Sequence, residues 1–136
     1  MSALTEARDT REIAAGGVHY TREFTVASGS TVYAGAITAV NSSGKAVPAT
    51  SQGAITVVGR AENTASSGET VKTRSGMFLY NPVSNGAISV NDVNKKCYIA
   101  DDQTVTLTSG SSAVTAGVVR DVIPGGVVTE IGNGPL

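Results

Sequence analysis

The chain has 136 residues, a length that fits one compact domain and leaves no room for a second. Apolar residues make up 40%, enough for one modest core, but aromatic content is 4% with no Trp, so Val, Ile and Ala must fill that core. Ten basic side chains scattered against eleven acidic ones give a net charge of -1, which excludes the phosphate-neutralising footprint of nucleic-acid binding.

Residues 1–17 differ from the rest. Their charges alternate in sign (Glu6, Arg8, Asp9, Arg11, Glu12), only Leu4, Ala7 and Ile13 could bury anything, and the stretch closes on Ala14-Ala15-Gly16-Gly17. A short helix would fit, but the glycine pair favours a flexible arm that orders on contact with a partner. From Val18 the period becomes two. Val18, Tyr20, Phe24 and Val26 share one face of a half-buried strand, and His19, Thr21, Glu23 and Thr25 share the other. Ser28-Gly29 turns the chain into Thr31 to Val40, read as one or two strands with a bulge or bend at Gly35, and Asn41-Ser42-Ser43-Gly44 is the next turn.

In Ala54 to Ala61, Ile55, Val57, Gly59 and Ala61 alternate against Thr56, Val58 and Arg60, as in a strand. After a polar link, Glu69 to Thr73 is read as a strand that Ser75-Gly76 folds back into Met77 to Tyr80 as a hairpin. Pro82 ends it, and Asn85-Gly86 supplies another turn. Three further strands follow: Lys96 to Ala100, Thr104 to Leu107, and Val114 to Ile123. Pro124-Gly125-Gly126 folds the last of them onto Val127 to Ile131. Short strands and closely spaced turns predict an all-β fold, a small antiparallel β-barrel or a sandwich, spanning 18–136 behind the arm of 1–17.

Chemistry-bearing residues are few. His19 lies on a polar strand face beside Thr21 and Glu23, which suits a solvated histidine better than a zinc ligand or a catalytic base. Asp101 and Asp102 are adjacent, and in a turn they are expected to accept backbone N–H groups; the alternative is a calcium ion gained at a subunit contact. Cys97 alternates with Ile99 on an apolar face, the setting of a buried, inert thiol, and as the single cysteine it forms no internal disulfide. There is no nucleophile elbow, phosphate-binding glycine loop or EF-hand loop, and Gly132-Asn133-Gly134 reads as a glycine-rich tail. The expectation is therefore a non-enzymatic protein without cofactor or metal. With no apolar run at the N-terminus and no stretch long enough to cross a bilayer, it is expected to be made and to stay soluble in the cytoplasm.

Two segments carry more specific information. One runs Val57-Val58-Gly59-Arg60-Ala61-Glu62 through Gly68-Glu69-Thr70-Val71 to Ser75-Gly76-Met77-Phe78. The other runs Val93-Asn94-Lys95-Lys96-Cys97-Tyr98-Ile99-Ala100-Asp101-Asp102-Gln103-Thr104-Val105, then Ala116-Gly117-Val118-Val119 and Gly126 to Ile131. Together, over roughly residues 30–131, the chain resembles the small capsid decoration, or cement, proteins of tailed bacteriophages and prophages. Such proteins often carry Gly where this chain has Asn94, and Asn also tolerates a left-handed backbone.

The resemblance implies a β-barrel or β-tulip-like unit, commonly a homotrimer, that docks on the outside of an icosahedral shell and contacts the major capsid protein, with no nucleic-acid or membrane partner. A ligand that binds only the assembled, expanded lattice stabilises it by mass action, and trimer avidity multiplies modest affinities. On that basis the contact surface is expected on the arm (Leu4, Arg8, Arg11, Ile13) and on the exposed face of the first strand (His19, Arg22, Glu23). Deleting 1–17 would then abolish shell binding and leave the barrel folded. The competing reading is a glycan-binding or cell-surface β module of a phage fibre or tail, which the scattered Tyr20, Tyr33, Tyr80 and Tyr98 do not favour.

Overall fold

A computed structural model of the chain describes residues 2–14, 20–83, 88–108 and 113–133. In chain order the strands are β1 (Glu12–Ala14), β2 (Thr21–Thr25), β3 (Thr31–Val32), β4 (Ile37–Val40), β5 (Ala46–Pro48), β6 (Thr56–Ala61), β7 (Ala65–Ser66), β8 (Thr70–Arg74), β9 (Gly76–Pro82), β10 (Lys96–Asp101), β11 (Thr104–Thr106), β12 (Thr115–Ile123) and β13 (Gly126–Ile131). One 3-10 turn, Val90–Asp92, precedes β10, and the described residues contain no α-helix. The all-β expectation holds.

The largest sheet runs β1-β9-β11-β10-β12-β13, and β13 pairs again with β9, so five strands close into a barrel. β9 has two edges. One is filled by β13 from Gly76 to Tyr80; the other is shared in succession by β1 at Met77 and Phe78 and by β11 at Asn81 and Pro82. Closure removes the open edges that short Val- and Thr-rich strands would otherwise present. A second sheet, β2-β8-β6-β4-β5, packs beside it, and an isolated bridge from Val26 to Ala46 links its two outer strands. β3 and β7 form a separate ribbon.

Each sheet has its own core. The barrel core gathers Phe78, Tyr80, Cys97, Ile99, Val105, Val119, Val127 and Ile131, with Ile37 and Ala39 added from the second sheet. The second core is Val26, Val32, Val71 and four alanines, partly covered by Leu4 and Phe24.

Three sequence expectations change. Glu69–Thr73 and Met77–Tyr80 do not form a hairpin: Ser75 is buried, β8 pairs with β2 and β6, and β9 pairs in the barrel, so the chain crosses from one sheet to the other. A hairpin signal reports a local turn, and here tertiary pairing decides which strands meet. The alternation along β6 also slips, because Ala39 faces Val57 while Thr38 faces Gly59, leaving Val58 as an extra residue. This bulge lets Val57 pack on the barrel core and Ala61 join the second core. Just before β2, Tyr20 is 57% exposed, and Arg22 occupies the half-buried position between it and Phe24. Val18, His19 and the expected turn at Asn85-Gly86 lie outside the described residues.

Asn94 sits at φ +71, the only described non-glycine with a positive φ, and its N–H donates to Val119 O at 2.6 Å. The left-handed backbone expected there is present.

Candidate functional site

The N-terminal segment was expected as a flexible arm. The structure instead lays residues 2–14 as a strap across the junction of the two sheets. Leu4 N–H donates to Asp102 Oδ1 at 2.9 Å, and Gln103 Nε2 donates to Ser2 O at 2.8 Å. Arg8 N–H donates to Ala34 O, while its guanidinium donates to Leu79 O and Thr10 Oγ1, both at 2.9 Å, and stands 5.3 Å from the Tyr80 ring centre. Thr10 is buried; its hydroxyl donates to Gly35 O at 2.6 Å, and its carbonyl accepts from Arg60 Nη1 at 2.8 Å. Arg11 O accepts from Leu79 N–H, and β1 completes the ladder on β9.

Of the mixed charges of this segment, Arg8 and Glu12 are used in the docking, while Glu6, Asp9 and Arg11 stay exposed. Arg60 lies 4.4 Å from the Phe78 ring centre and pairs with Glu62 at 2.7 Å; Glu12 faces Arg74 at 3.3 Å. Gly35 shows how close the strap runs, because at φ +91 a Cβ there would collide with Arg8 O. Tyr80, fully buried, donates its hydroxyl to the same Gly35 O at 3.0 Å, and burial pushes its phenol well above the ordinary range despite nearby Arg8 and Arg60.

The turn between β10 and β11 divides its two carboxylates. Asp101 Oδ1 accepts from Gln103 N–H at 3.0 Å, the expected Asx-type contact. Asp102 is buried and holds three elements together: its carboxyl accepts from Leu4, its carbonyl accepts from Ile37 N–H at 2.8 Å, and it lies in the barrel turn. Desolvation raises its carboxyl above the usual carboxylate range, opposed by the Leu4 bond. No three His, Cys, Asp or Glu side chains converge as metal ligands among the described residues. Cys97 is buried in the barrel core, and desolvation pushes its thiol up to about 12.

The contact residues expected from the sequence therefore separate. Leu4, Arg8 and Arg22 turn inward; Arg22 donates to Val58 O at 3.0 Å and Gly132 O at 3.1 Å, which removes it from the exposed face assigned to it. Period-two alternation already sets position 22 on the face of Tyr20 and Phe24, so the exposed assignment runs against the pattern. The two acceptors, supplied by β6 and by the residue after β13, are what the neighbours do not show. Arg11, Ile13 and Glu23 remain exposed, as does Tyr20 just before β2. His19 lies outside the described residues.

A cleft of about 640 Å³, lined in part by Gly132, opens between the start of β6 and the start of β12. Ile55, Val57, Val114 and Ala116 give it an apolar lining, and Lys96, Arg120 and Glu130 give it charge. Arg120 Nε donates to Glu130 Oε1 at 2.8 Å, and its Nη1 donates to Asn94 Oδ1 at 2.8 Å. Linear order does not mark this cleft. Its residues come from four separated stretches, and the one signal was an unusually long apolar β12 that outruns its partner β13. No protein-family model matches the chain, and no curated protein matches it.

Proposed function

We propose that this chain is a structural virion protein that binds the outside of an assembled tailed-phage capsid and stabilises it, acting as a homotrimer on the major capsid protein. The observation that carries the reading is how the two resemblance-bearing segments fold. Residues 57–78 build β6, β7, β8 and the first turn of backbone into β9, residues 93–131 build β10 to β13, and the β9–β13 ladder joins them into one body. The two segments thus meet where the first enters the barrel, along the β9–β13 ladder.

A second support is the use made of charge. Arg8, Arg22, Arg60, Arg120, Asp102 and Glu130 all hold the chain to itself. This suits a rigid brace, since a protein that must resist outward pressure on a shell gains from a body whose parts do not shift. The contact surface narrows from the sequence expectation to Arg11, Ile13 and Glu23, joined by Tyr20. Because the strap is integral, deleting it is no longer a clean test, and surface substitutions replace it.

The test mixes the purified chain with expanded and unexpanded empty shells of the phage or prophage that encodes it and measures co-sedimentation. Saturable binding to expanded shells, weakened by Ile13→Asp with Tyr20→Ala, is the expected result. Binding to neither shell would overturn the reading, and a glycan array on the same sample addresses the competing carbohydrate-binding role.

A further inference from the structure

β2 is an outer strand of the second sheet, and β8 is the one strand that pairs with it along residues 21–25 among the described residues. The far end of its outer edge is closed, because Val26 bridges Ala46 in parallel and Ala27 N–H donates to Ala46 O at 2.9 Å. From Thr21 to Glu23 that edge has no strand beside it among the described residues.

Backbone direction shows what the edge presents. Lys72, opposite Glu23, directs both of its backbone groups to the far side of β8: its N–H donates to Asn63 Oδ1 at 2.8 Å, and its carbonyl accepts from Glu62 N–H at 2.7 Å. Glu23 and Lys72 are therefore a non-hydrogen-bonded pair, and the N–H and C=O of Glu23 point away from β8. Alternation gives Thr21 the same direction, and both residues are exposed. Arg22 turns the other way, its carbonyl accepting from Thr73 Oγ1 at 3.1 Å. Thr21 and Glu23 thus each offer a donor and an acceptor outward. Side-chain charge alternates along the same row of the sheet, from Glu23 to Lys72 to Glu62, and Glu23 forms none of the ion pairs among the described residues.

We infer that the outer edge of β2 accepts, antiparallel, an extended segment of another protein that sets a lysine or arginine opposite Glu23. A cation there continues the alternation of the row, and main-chain bonds to Thr21 and Glu23 hold the segment in place. A second copy fits less well: paired in register through the same edge it sets Glu23 against its own counterpart, and a shifted register shortens the ladder. The fold already uses the favoured chemistry once, because β8 places Lys72 opposite Glu23 and Thr70 opposite Thr25. The edge shares Glu23 with the contact surface proposed above but does not rest on the capsid reading: a free peptide tests the edge, and shell co-sedimentation tests that reading.

The probe is the acetylated, amidated peptide Ser-Thr-Val-Lys-Thr-Arg-Ser, which copies Thr70 to Arg74, titrated into the isotope-labelled full chain and followed by amide chemical shifts. Saturable shifts are expected, larger at the outward amides of Thr21 and Glu23 than at Arg22 and Phe24. Glutamate in place of the probe's lysine should weaken binding about threefold, the scale of one cross-strand charge pair, and Glu23→Gln in the chain should erase that difference between probes. Methylating the backbone nitrogen of the probe's lysine removes the donor to Glu23 O and should abolish binding. Glu23 is exposed, so Glu23→Gln leaves the fold intact, which unchanged shifts elsewhere in the chain verify. Absence of saturable shifts, shifts that miss Thr21 and Glu23, equal binding of the lysine and glutamate probes to the parent chain, or indifference to the N-methyl group would each overturn the inference.

Discussion

The two cores of this protein are built from different materials. The barrel core contains both large buried rings, Phe78 and Tyr80, together with Ile37, Ile88, Ile99 and Ile131. The second core relies on Ala36, Ala46, Ala61 and Ala65 with three valines, and its larger contributors, Leu4 and Phe24, are only partly buried. Buried area per residue is therefore much smaller in the second region, and one of its covering side chains arrives from the N-terminal strap. A ring-poor sequence can thus support one well-filled barrel, while the second sheet depends on the barrel and the strap for part of its stability.

Substitution in the cores should separate the regions most strongly. Phe78→Ala is expected to cost about 3–5 kcal/mol, the range for emptying a packed aromatic site, against about 2 kcal/mol for Val71→Ala, as read from urea unfolding of both variants. Equal losses would mean that the cores are not unequal in the way their composition indicates. Next in size, Gly35→Ala places a side chain at φ +91 and against Arg8 O, with an expected cost of about 1–3 kcal/mol from the backbone alone. Limited trypsin digestion should then cleave after Arg8 and Arg11 faster than in the parent chain, reporting release of the strap.

A smaller effect tests the link between the regions. Tyr80→Phe removes the hydroxyl that reaches from the barrel to Gly35 O and should cost about 1 kcal/mol, with faster amide exchange around residues 34–37. The smallest concerns Asp102. Its carboxyl is raised in the folded chain, chiefly by desolvation, so the fold disfavours the charged form. That penalty is absent below the unfolded-state value of 3.8 and grows as pH rises through the folded-state value. The thermal midpoint of Asp102→Asn minus that of the parent should therefore be more positive at pH 7 than at pH 3.5, and a reversed slope would show that the Leu4 bond outweighs burial.

Local chemistry made much of this protein legible. Strand positions from Lys96 to Ile131, the Asx contact of Asp101 and the buried setting of Cys97 follow from period-two patterning and turn preferences, which act over a few residues, whereas the left-handed Asn94 is implied by the resemblance. The cleft and the strap were not legible in the same way. Arg8 reads as a contact residue of a free arm until Tyr80 and Leu79 O stand beside it, and the acceptors of Arg22, Val58 O and Gly132 O, come from distant stretches.

The amino-acid order by itself determined that the chain is all β, where most strands and turns fall, and that small aliphatic side chains must fill its interior. Tertiary structure alone decided that β8 and β9 part into different sheets, that residues 2–14 bind across their junction, and that a cleft opens between the starts of β6 and β12. The physical reason is range. Strand and turn preferences are set by neighbours in sequence, whereas the partner of an edge, a guanidinium or a buried carboxyl is supplied by residues tens of positions away, which only closure of the barrel brings within hydrogen-bond distance.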